Sequence, residues 1–157
     1  MTLPESLSPV ESRDRLAIRQ LIDRYAQCAD RRLAEEQMAL FTHNAHFMVF
    51  MGGQGQPVTQ ELHTREDLRP VFEALRAYTH TMHFNGHSTM TIGADGNTAS
   101  GESYCIAHHI IDKDGQRTVF VAHLRYHDVV KKQADGAWLF AERKLFLDWS
   151  ESRPINS

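Results

Sequence analysis

Cysteine is scarce in this sequence. Its 157 residues include two cysteines, Cys28 and Cys105, which are far apart and outside any Cys-x-x-Cys motif. Isolated cysteines of this kind indicate reduced thiols and argue against a disulfide framework. No apolar run approaches the roughly 18 residues that a membrane span needs, and the first residues lack the basic and apolar regions of a signal peptide. We therefore expect a cytoplasmic protein without a membrane partner.

An excess of charge is missing as well. The formal net charge is −3, and 24% of the residues are charged. Because nucleic-acid-binding domains usually carry a basic patch, we expect no nucleic-acid partner. The sequence also lacks an HExxH motif, a cysteine cluster and a phosphate-binding loop. We therefore expect no metal and no cofactor.

The length of the chain and its apolar content of 41% fit a single globular domain. We expect this domain at residues 9–150, between a flexible arm at residues 1–8 and a tail at residues 151–157. Ser8-Pro9-Val10-Glu11 fits a capping box, and apolar residues follow at helical spacing. The N-terminal half is predicted to hold helices at 9–29, at 31–41 and from 64 onward, with a short hairpin around the glycine-rich turn at 52–57.

In the C-terminal half, apolar and polar residues alternate with a period of two, which is typical of strands. Its turns each carry Asp-Gly, a strong hairpin signal. The predicted strands are 79–92, 99–111, 117–131 and 138–148. Three helices followed by an antiparallel meander predict an α+β fold, in which the helices pack on a curved, mainly antiparallel sheet and enclose a pocket.

The stretch from Thr81 to His87 carries the clearest functional pattern. If it is a strand, one face presents Thr81, His83, Asn85 and His87, with no Lys, Asp or Glu among them. An ordinary solvent-facing strand would favour such charged residues. The pattern therefore predicts that this polar face borders an enclosed pocket.

Five segments of the chain carry a pattern shared with a known family: Ile-Asp-Arg-Tyr-Ala-Gln-Cys-Ala-Asp at 22–30, Leu-Phe-Thr at 40–42, Thr-Met-His at 81–83, Asp-Gly-Ala-Trp at 135–138 and Glu-Arg at 142–143. In these segments the chain resembles the SnoaL-like branch of the NTF2-like superfamily. The resemblance implies a cone-shaped fold around a pocket. It implies less about activity, because this superfamily contains dehydratases, dehydrochlorinases, isomerases and non-catalytic binders.

The resemblance to bile acid 7α-dehydratase and scytalone dehydratase implies roles for particular residues. By that likeness His83 is a base, Asp30 orients it and Tyr25 orients the substrate. A further histidine of scytalone dehydratase lies near His108, although a slip of one residue would bring His109 inward instead. The bile acid enzyme has an arginine on its last strand. Near that position this chain has Leu145-Phe146-Leu147, and its nearest arginine, Arg143, lies a few residues earlier.

These residues could remove water from a carbon next to a carbonyl, because a neutral histidine is a suitable base near neutral pH. We expect a cofactor-independent lyase of the dehydratase type, or an isomerase, that acts on a small hydrophobic, oxygenated molecule and forms a homo-oligomer (dimer or trimer). Substrate-binding residues are predicted at His108, Tyr104, Phe50, Phe84 and Trp149. In the alternative interpretation, Asp30 only caps a helix and the chain is a non-catalytic module that binds a hydrophobic ligand or a partner.

Overall fold

The computed structural model describes residues 7–156, so most of the predicted arm at 1–8 lies outside the described residues. The helices are α1 (Pro9–Arg31), α2 (Ala34–Met38) and α3 (Arg69–Glu73), the last flanked by 3-10 turns at Glu66–Leu68 and Ala74–Ala77. The strands are β1 (Phe41–Phe50), β2 (Gln60–Leu62), β3 (His80–Ile92), β4 (Thr98–Lys113), β5 (Gln116–Lys132) and β6 (Trp138–Pro154). No helix in this part of the chain has the length and apolar character that crossing a membrane requires.

Helix α1 begins and ends at recognisable caps. The Ser8 hydroxyl accepts a hydrogen bond from the backbone N–H of Glu11, as the sequence predicted. At the other end Arg32 adopts the left-handed conformation with φ of 61°. The helix therefore runs two residues further than predicted, and Asp30 lies in its last turn. Its buried stripe contains Ile18, Leu21, Ile22 and Tyr25.

The other two predicted helices differ from the prediction in different ways: α2 is much shorter than 31–41, whereas the segment from 64 onward forms α3 between two 3-10 turns. Helix α2 has five residues, because the left-handed Arg32 separates it from α1 and β1 already begins at Phe41. Phe41 is completely buried and pairs with Phe140 of β6. Burial in the sheet thus overrides the helical spacing that the sequence offers in this segment.

The six strands form one sheet in the order β2-β1-β6-β5-β4-β3. Strands β1 and β6 run parallel, and every other neighbouring pair is antiparallel. The predicted α+β class with a mainly antiparallel sheet is confirmed. Strand β6 pairs with β5 as far as Thr118 opposite Pro154, so residues 151–154 belong to the sheet and not to the predicted tail.

A bulge in β3 changes which side chains share a face. Gly86 and His87 together oppose the single residue Tyr104 of β4. His83 and Asn85 therefore point to the face that α1 covers, which we call the inner face, whereas His87 points to the outer face and packs its ring 4.0 Å from that of Tyr104. Strict alternation had predicted His83 and His87 on the same side.

A buried ion pair lies within the aromatic core on the inner face. Arg143 and Asp128 have almost no exposed side-chain surface, and Nε lies 3.1 Å from Oδ1. The guanidinium also lies 4.1 Å from the ring centroid of Tyr25 and 3.9 Å from that of Tyr126. Burial raises the pKa of Asp128 to about 6 against the attraction of Arg143, so the carboxyl is still ionised at pH 7.

Replacing Asp128 with Asn should destabilise the protein by about 3–5 kcal/mol, because it leaves the Arg143 charge buried without a counter-charge. The double variant Asp128→Asn/Arg143→Met should lose less than the sum of the two single changes. Urea unfolding followed by circular dichroism measures both.

The control for this prediction is Asp112→Asn, which removes one partner of an exposed ion pair with Arg117. We expect little change there, since exposed pairs contribute little. A cost for Asp128→Asn no larger than that of the control would contradict the importance of the buried pair.

Candidate functional site

Asp30 and His83 form a hydrogen-bonded pair between the end of α1 and the inner face of β3. Asp30 Oδ1 lies 2.7 Å from His83 Nδ1. The second carboxylate oxygen, Oδ2, accepts a hydrogen bond of 3.0 Å from the backbone N–H of His83. The His83 side chain is only 8% exposed. Two contacts to one residue fix both the carboxylate and the imidazole, which is the geometry of an oriented base.

Neighbouring groups fasten this pair in place. The Thr81 hydroxyl donates to Asp30 Oδ1 at 3.0 Å, and Arg32 Nη1 donates to the same hydroxyl at 2.7 Å. Arg32 also donates to the carbonyl oxygens of Ala29 and Tyr78. The residue that ends α1 therefore ties the helix terminus to the start of β3.

These contacts decide the charge of Asp30. Burial alone would raise the pKa of the Asp30 carboxyl, but the hydrogen bonds from His83 and Thr81 outweigh it and hold the pKa below its ordinary value. The carboxylate is thus ionised near neutral pH and accepts the proton of His83 Nδ1. In a neutral His83 ring this contact places the proton on Nδ1, so Nε2 is the nitrogen that can accept a proton from a ligand.

The His83 ring lines a cavity of about 260 Å³ between the inner face of the sheet and the helices. The polar groups of its wall belong to two histidines, three tyrosines and two glutamines, which are His83, His109, Tyr25, Tyr78, Tyr126, Gln37 and Gln60. Its main apolar contributors are Phe47, Val49, Val71, Phe72, Leu75, Phe120, Leu145 and Leu147. A small apolar cavity with a few convergent polar groups is the usual form of a small-molecule site.

His109 shares this cavity with His83. Its ring centroid lies 5.6 Å from that of His83 and 4.7 Å from that of Tyr78. Burial, with repulsion from His83, lowers the pKa of His109 to about 4, so its ring is neutral at pH 7. Its Nδ1 is buried and has no hydrogen-bond partner within residues 7–156.

The structure resolves the choice between the two adjacent histidines in favour of His109. It pairs with Phe120 of β5, and both side chains lie at the cavity on the inner face. His108, the residue predicted from the resemblance, points the other way because successive side chains of a strand alternate. His108 is therefore not a residue of this cavity.

The other predicted substrate-binding residues also lie on the outer face. Phe84 and Trp149 are 68% and 60% exposed. With Tyr104 they border a second, separate cavity of about 430 Å³, and Phe50 stacks on Phe146 at 4.7 Å. The prediction that these residues line the pocket is therefore wrong. For Phe84 the reason is that the polar face of β3 turns inward to meet Asp30, so its apolar face turns outward. Phe50 follows the inward-facing Val49 on β1 and so points outward by alternation.

Tyr25 lines the inner cavity but belongs mainly to the core. Its ring packs edge-on against Phe41, Phe72 and Phe140 at 5.9–6.0 Å. Burial raises the pKa of its phenol to about 12, so it stays protonated. Within the described residues no hydrogen bond joins Tyr25 to Asp30.

Three contributors to the site had no predicted role. The alternation of β3 placed Thr81 on the polar face with His83 but gave no indication of its hydrogen bond to Asp30. Tyr78 lies two residues before the start of β3, where the change of period indicates only a boundary. Arg32 could not be found, because a left-handed cap formed by an arginine has no sequence signal of its own.

Comparisons with known proteins agree with this architecture. The family model of the SnoaL-like domain matches residues 10–144. No curated protein matches the chain. The three solved structures described next are at most 21% identical to the chain, so they support the fold alone.

Three of these structures illustrate the range of the likeness. A protein of Novosphingobium aromaticivorans with the provisional name scytalone dehydratase is 20% identical, with a TM-score of 0.79 over 96% of this chain and 95% of that one. The hexachlorocyclohexane dehydrochlorinase of Novosphingobium barchaimii is 14% identical, with a TM-score of 0.69 over 94% of both chains. The β subunit of a provisionally named aromatic-ring-hydroxylating dioxygenase of Novosphingobium aromaticivorans is 21% identical, with a TM-score of 0.73 over 89% of this chain and 92% of that one.

The family model covers most of the chain, including α1 with Asp30 and β3 with His83. The chain therefore belongs to the SnoaL-like domain family.

Proposed function

We propose that this chain is a cofactor-independent lyase of the dehydratase type, with His83 as the base and Asp30 as its orienting carboxylate. The observation that carries the proposal is the 2.7 Å contact between Asp30 Oδ1 and His83 Nδ1 at the wall of an apolar cavity. The substrate class is a small hydrophobic molecule that carries a carbonyl and, on the second carbon from it, a hydroxyl group.

In the proposed reaction, His83 Nε2 takes the proton from the carbon between the carbonyl and the hydroxyl-bearing carbon. The electrons of that C–H bond form the new double bond as the C–O bond breaks. The imidazolium returns the proton to the departing hydroxide, so water leaves and His83 is neutral again. Asp30 stabilises the imidazolium while it carries the proton.

Two further residues complete the proposed site. His109 lines the same cavity as His83 and is neutral, so its ring can form a hydrogen bond with a substrate oxygen. Tyr25 remains in the proposal as a residue that orients the substrate, because its ring borders the same space. An isomerase would use the same proton abstraction and return the proton to a different carbon.

The names of two structural neighbours are consistent with elimination chemistry, since a dehydratase removes water and a dehydrochlorinase removes hydrogen chloride. The dioxygenase β subunit is the counterexample, because that chain is named as part of a larger enzyme. A cytoplasmic location and assembly into a dimer or trimer stay predictions from the sequence.

Replacing His83 with Ala should lower the rate of turnover by about two to four powers of ten, because general base catalysis is worth that much. The assay presents a panel of hydrophobic β-hydroxy ketones and esters and follows the ultraviolet absorbance of the conjugated product. Asp30→Asn should also lose activity, since an amide no longer accepts the Nδ1 proton as a charged partner does.

The matched control is His108→Ala, which removes the neighbouring histidine on the outer face of β4 and should turn over normally. Exchange of the substrate's α-proton in D₂O tests the base independently of water loss. Turnover and exchange that survive in His83→Ala would refute the proposal. Panel members that bind the wild type without reaction or exchange would identify a non-catalytic binder instead.

The buried state of His109 predicts a pH dependence of stability. As the pH falls from about 6.5 towards 4, the unfolded chain binds a proton at His109 and the folded chain does not, so folding becomes less favourable. The free energy of unfolding of the wild type should fall by about 2–3 kcal/mol relative to His109→Gln across this window. Urea unfolding at several pH values measures the difference, and His108→Gln is the control.

A difference between the wild type and His109→Gln that stays constant from pH 6.5 to pH 4 would contradict a buried, neutral His109. A pH-dependent difference of the same size between the wild type and His108→Gln would do so as well, because His108→Gln keeps His109 and should lose stability at low pH as the wild type does.

A further inference from the structure

A second cluster of ligand-type side chains lies far from the Asp30–His83 pair, on the outer face at the other end of the sheet. It consists of His46 on β1, Glu61 on β2 and His63 just after β2, which we call the hairpin cluster. One ligand atom of each residue lies within 4.8 Å of those of the other two. The proposed lyase reaction uses none of these residues.

The distances within the hairpin cluster fit a small metal ion. His46 Nε2 lies 2.7 Å from Glu61 Oε1, and the rings of His46 and His63 stack at a centroid distance of 4.9 Å. Bonds of about 2.0–2.2 Å to a tetrahedral ion place two ligand atoms about 3.4 Å apart. The contact between His46 and Glu61 is shorter than this value and no separation in the cluster exceeds 4.8 Å, so small side-chain rotations suffice to close the site.

The backbone already holds the three residues together. Strands β1 and β2 are hydrogen-bonded, with Met48 opposite Glu61. The backbone N–H of His63 donates to Asp67 Oδ2 at 3.3 Å, which fixes the segment after β2. Ligands on paired strands need little ordering when a metal binds, and this lowers the entropy cost of binding.

A fourth residue stands where metal sites usually have an orienting carboxylate. His46 Nδ1 lies 3.8 Å from Glu142 Oε2 of β6, on the side of the ring away from Glu61. A carboxylate behind a ligating histidine fixes its tautomer and strengthens it as a ligand. Lys144 Nζ lies 3.2 Å from Glu142 Oε1, so it contacts the carboxylate oxygen that does not face His46.

We propose that His46, Glu61 and His63 form a binding site for a divalent first-row transition metal of the Zn²⁺ type. Two imidazoles and one carboxylate are the donors that this class of ion prefers. Mg²⁺ and Ca²⁺ should bind much more weakly, because they require mainly oxygen ligands. A bound ion would join β1 to the edge strand β2 and thereby stabilise the end of the sheet.

The test uses the full chain without a histidine tag, with Zn²⁺ in calorimetric titrations and Co²⁺ as a spectroscopic probe. The wild type should bind one equivalent, show the visible absorption of low-coordinate Co²⁺ and melt at a higher temperature with Zn²⁺. We expect His63→Ala to weaken Zn²⁺ binding on the order of 100-fold and Glu142→Gln about tenfold.

The matched control is His43→Ala, which removes an exposed histidine of the same strand that is outside the hairpin cluster. It should bind Zn²⁺ as the wild type does, and so should His83→Ala. The proposal is overturned if the wild type binds no Zn²⁺, or if His63→Ala binds as tightly as His43→Ala. It is also overturned if His83→Ala, and not His63→Ala, abolishes binding, because the ion would then belong to the other site.

Discussion

The carboxylate of Asp30 joins the end of the one long helix to an edge strand of the sheet. It accepts hydrogen bonds from the Thr81 hydroxyl, the His83 backbone and the His83 ring. The backbone bond matters for the fold, since an edge strand otherwise leaves such N–H groups unpaired. The ring bond matters for the chemistry. One side chain thus closes the edge of β3 and orients the imidazole, so the structural and the catalytic interpretations of Asp30 are compatible.

The contact between Asp30 and His83 also determines which side chains of β3 point inward and which point outward. Because His83 turns towards α1, the intervening Met82 and Phe84 must turn away, and they are exposed on the outer face. The apolar surface of the cavity is then supplied by other elements, such as Phe72 of α3 and Phe120 of β5. An apolar residue on β3 is therefore no guide to the ligand cavity in this chain, although apolar character is the usual guide to a pocket wall.

The sequence was informative where signals are local and strong. The capping box at Ser8 and the Asp-Gly turns predicted α1 and the four long strands, and the pattern around His83 predicted an enclosed polar face. Two features had no such signal. The bulge at Gly86 adds a residue that alternation cannot count, and the choice between His108 and His109 depends on which face the helices cover. Both are properties of the assembled sheet, so they follow from tertiary packing and not from local spacing.

The two inward histidines differ because their surroundings differ. His83 has an ionised carboxylate at Nδ1, which orients its ring, whereas burial lowers the pKa of His109 and keeps its ring neutral. Surroundings that differ in this way suit the two rings to different tasks. Under the proposed function, His83 is therefore the group that exchanges a proton and His109 the group that binds an oxygen. The distinction depends on the position of one helix terminus, since Asp30 reaches β3 at His83 and not at the neighbouring strand.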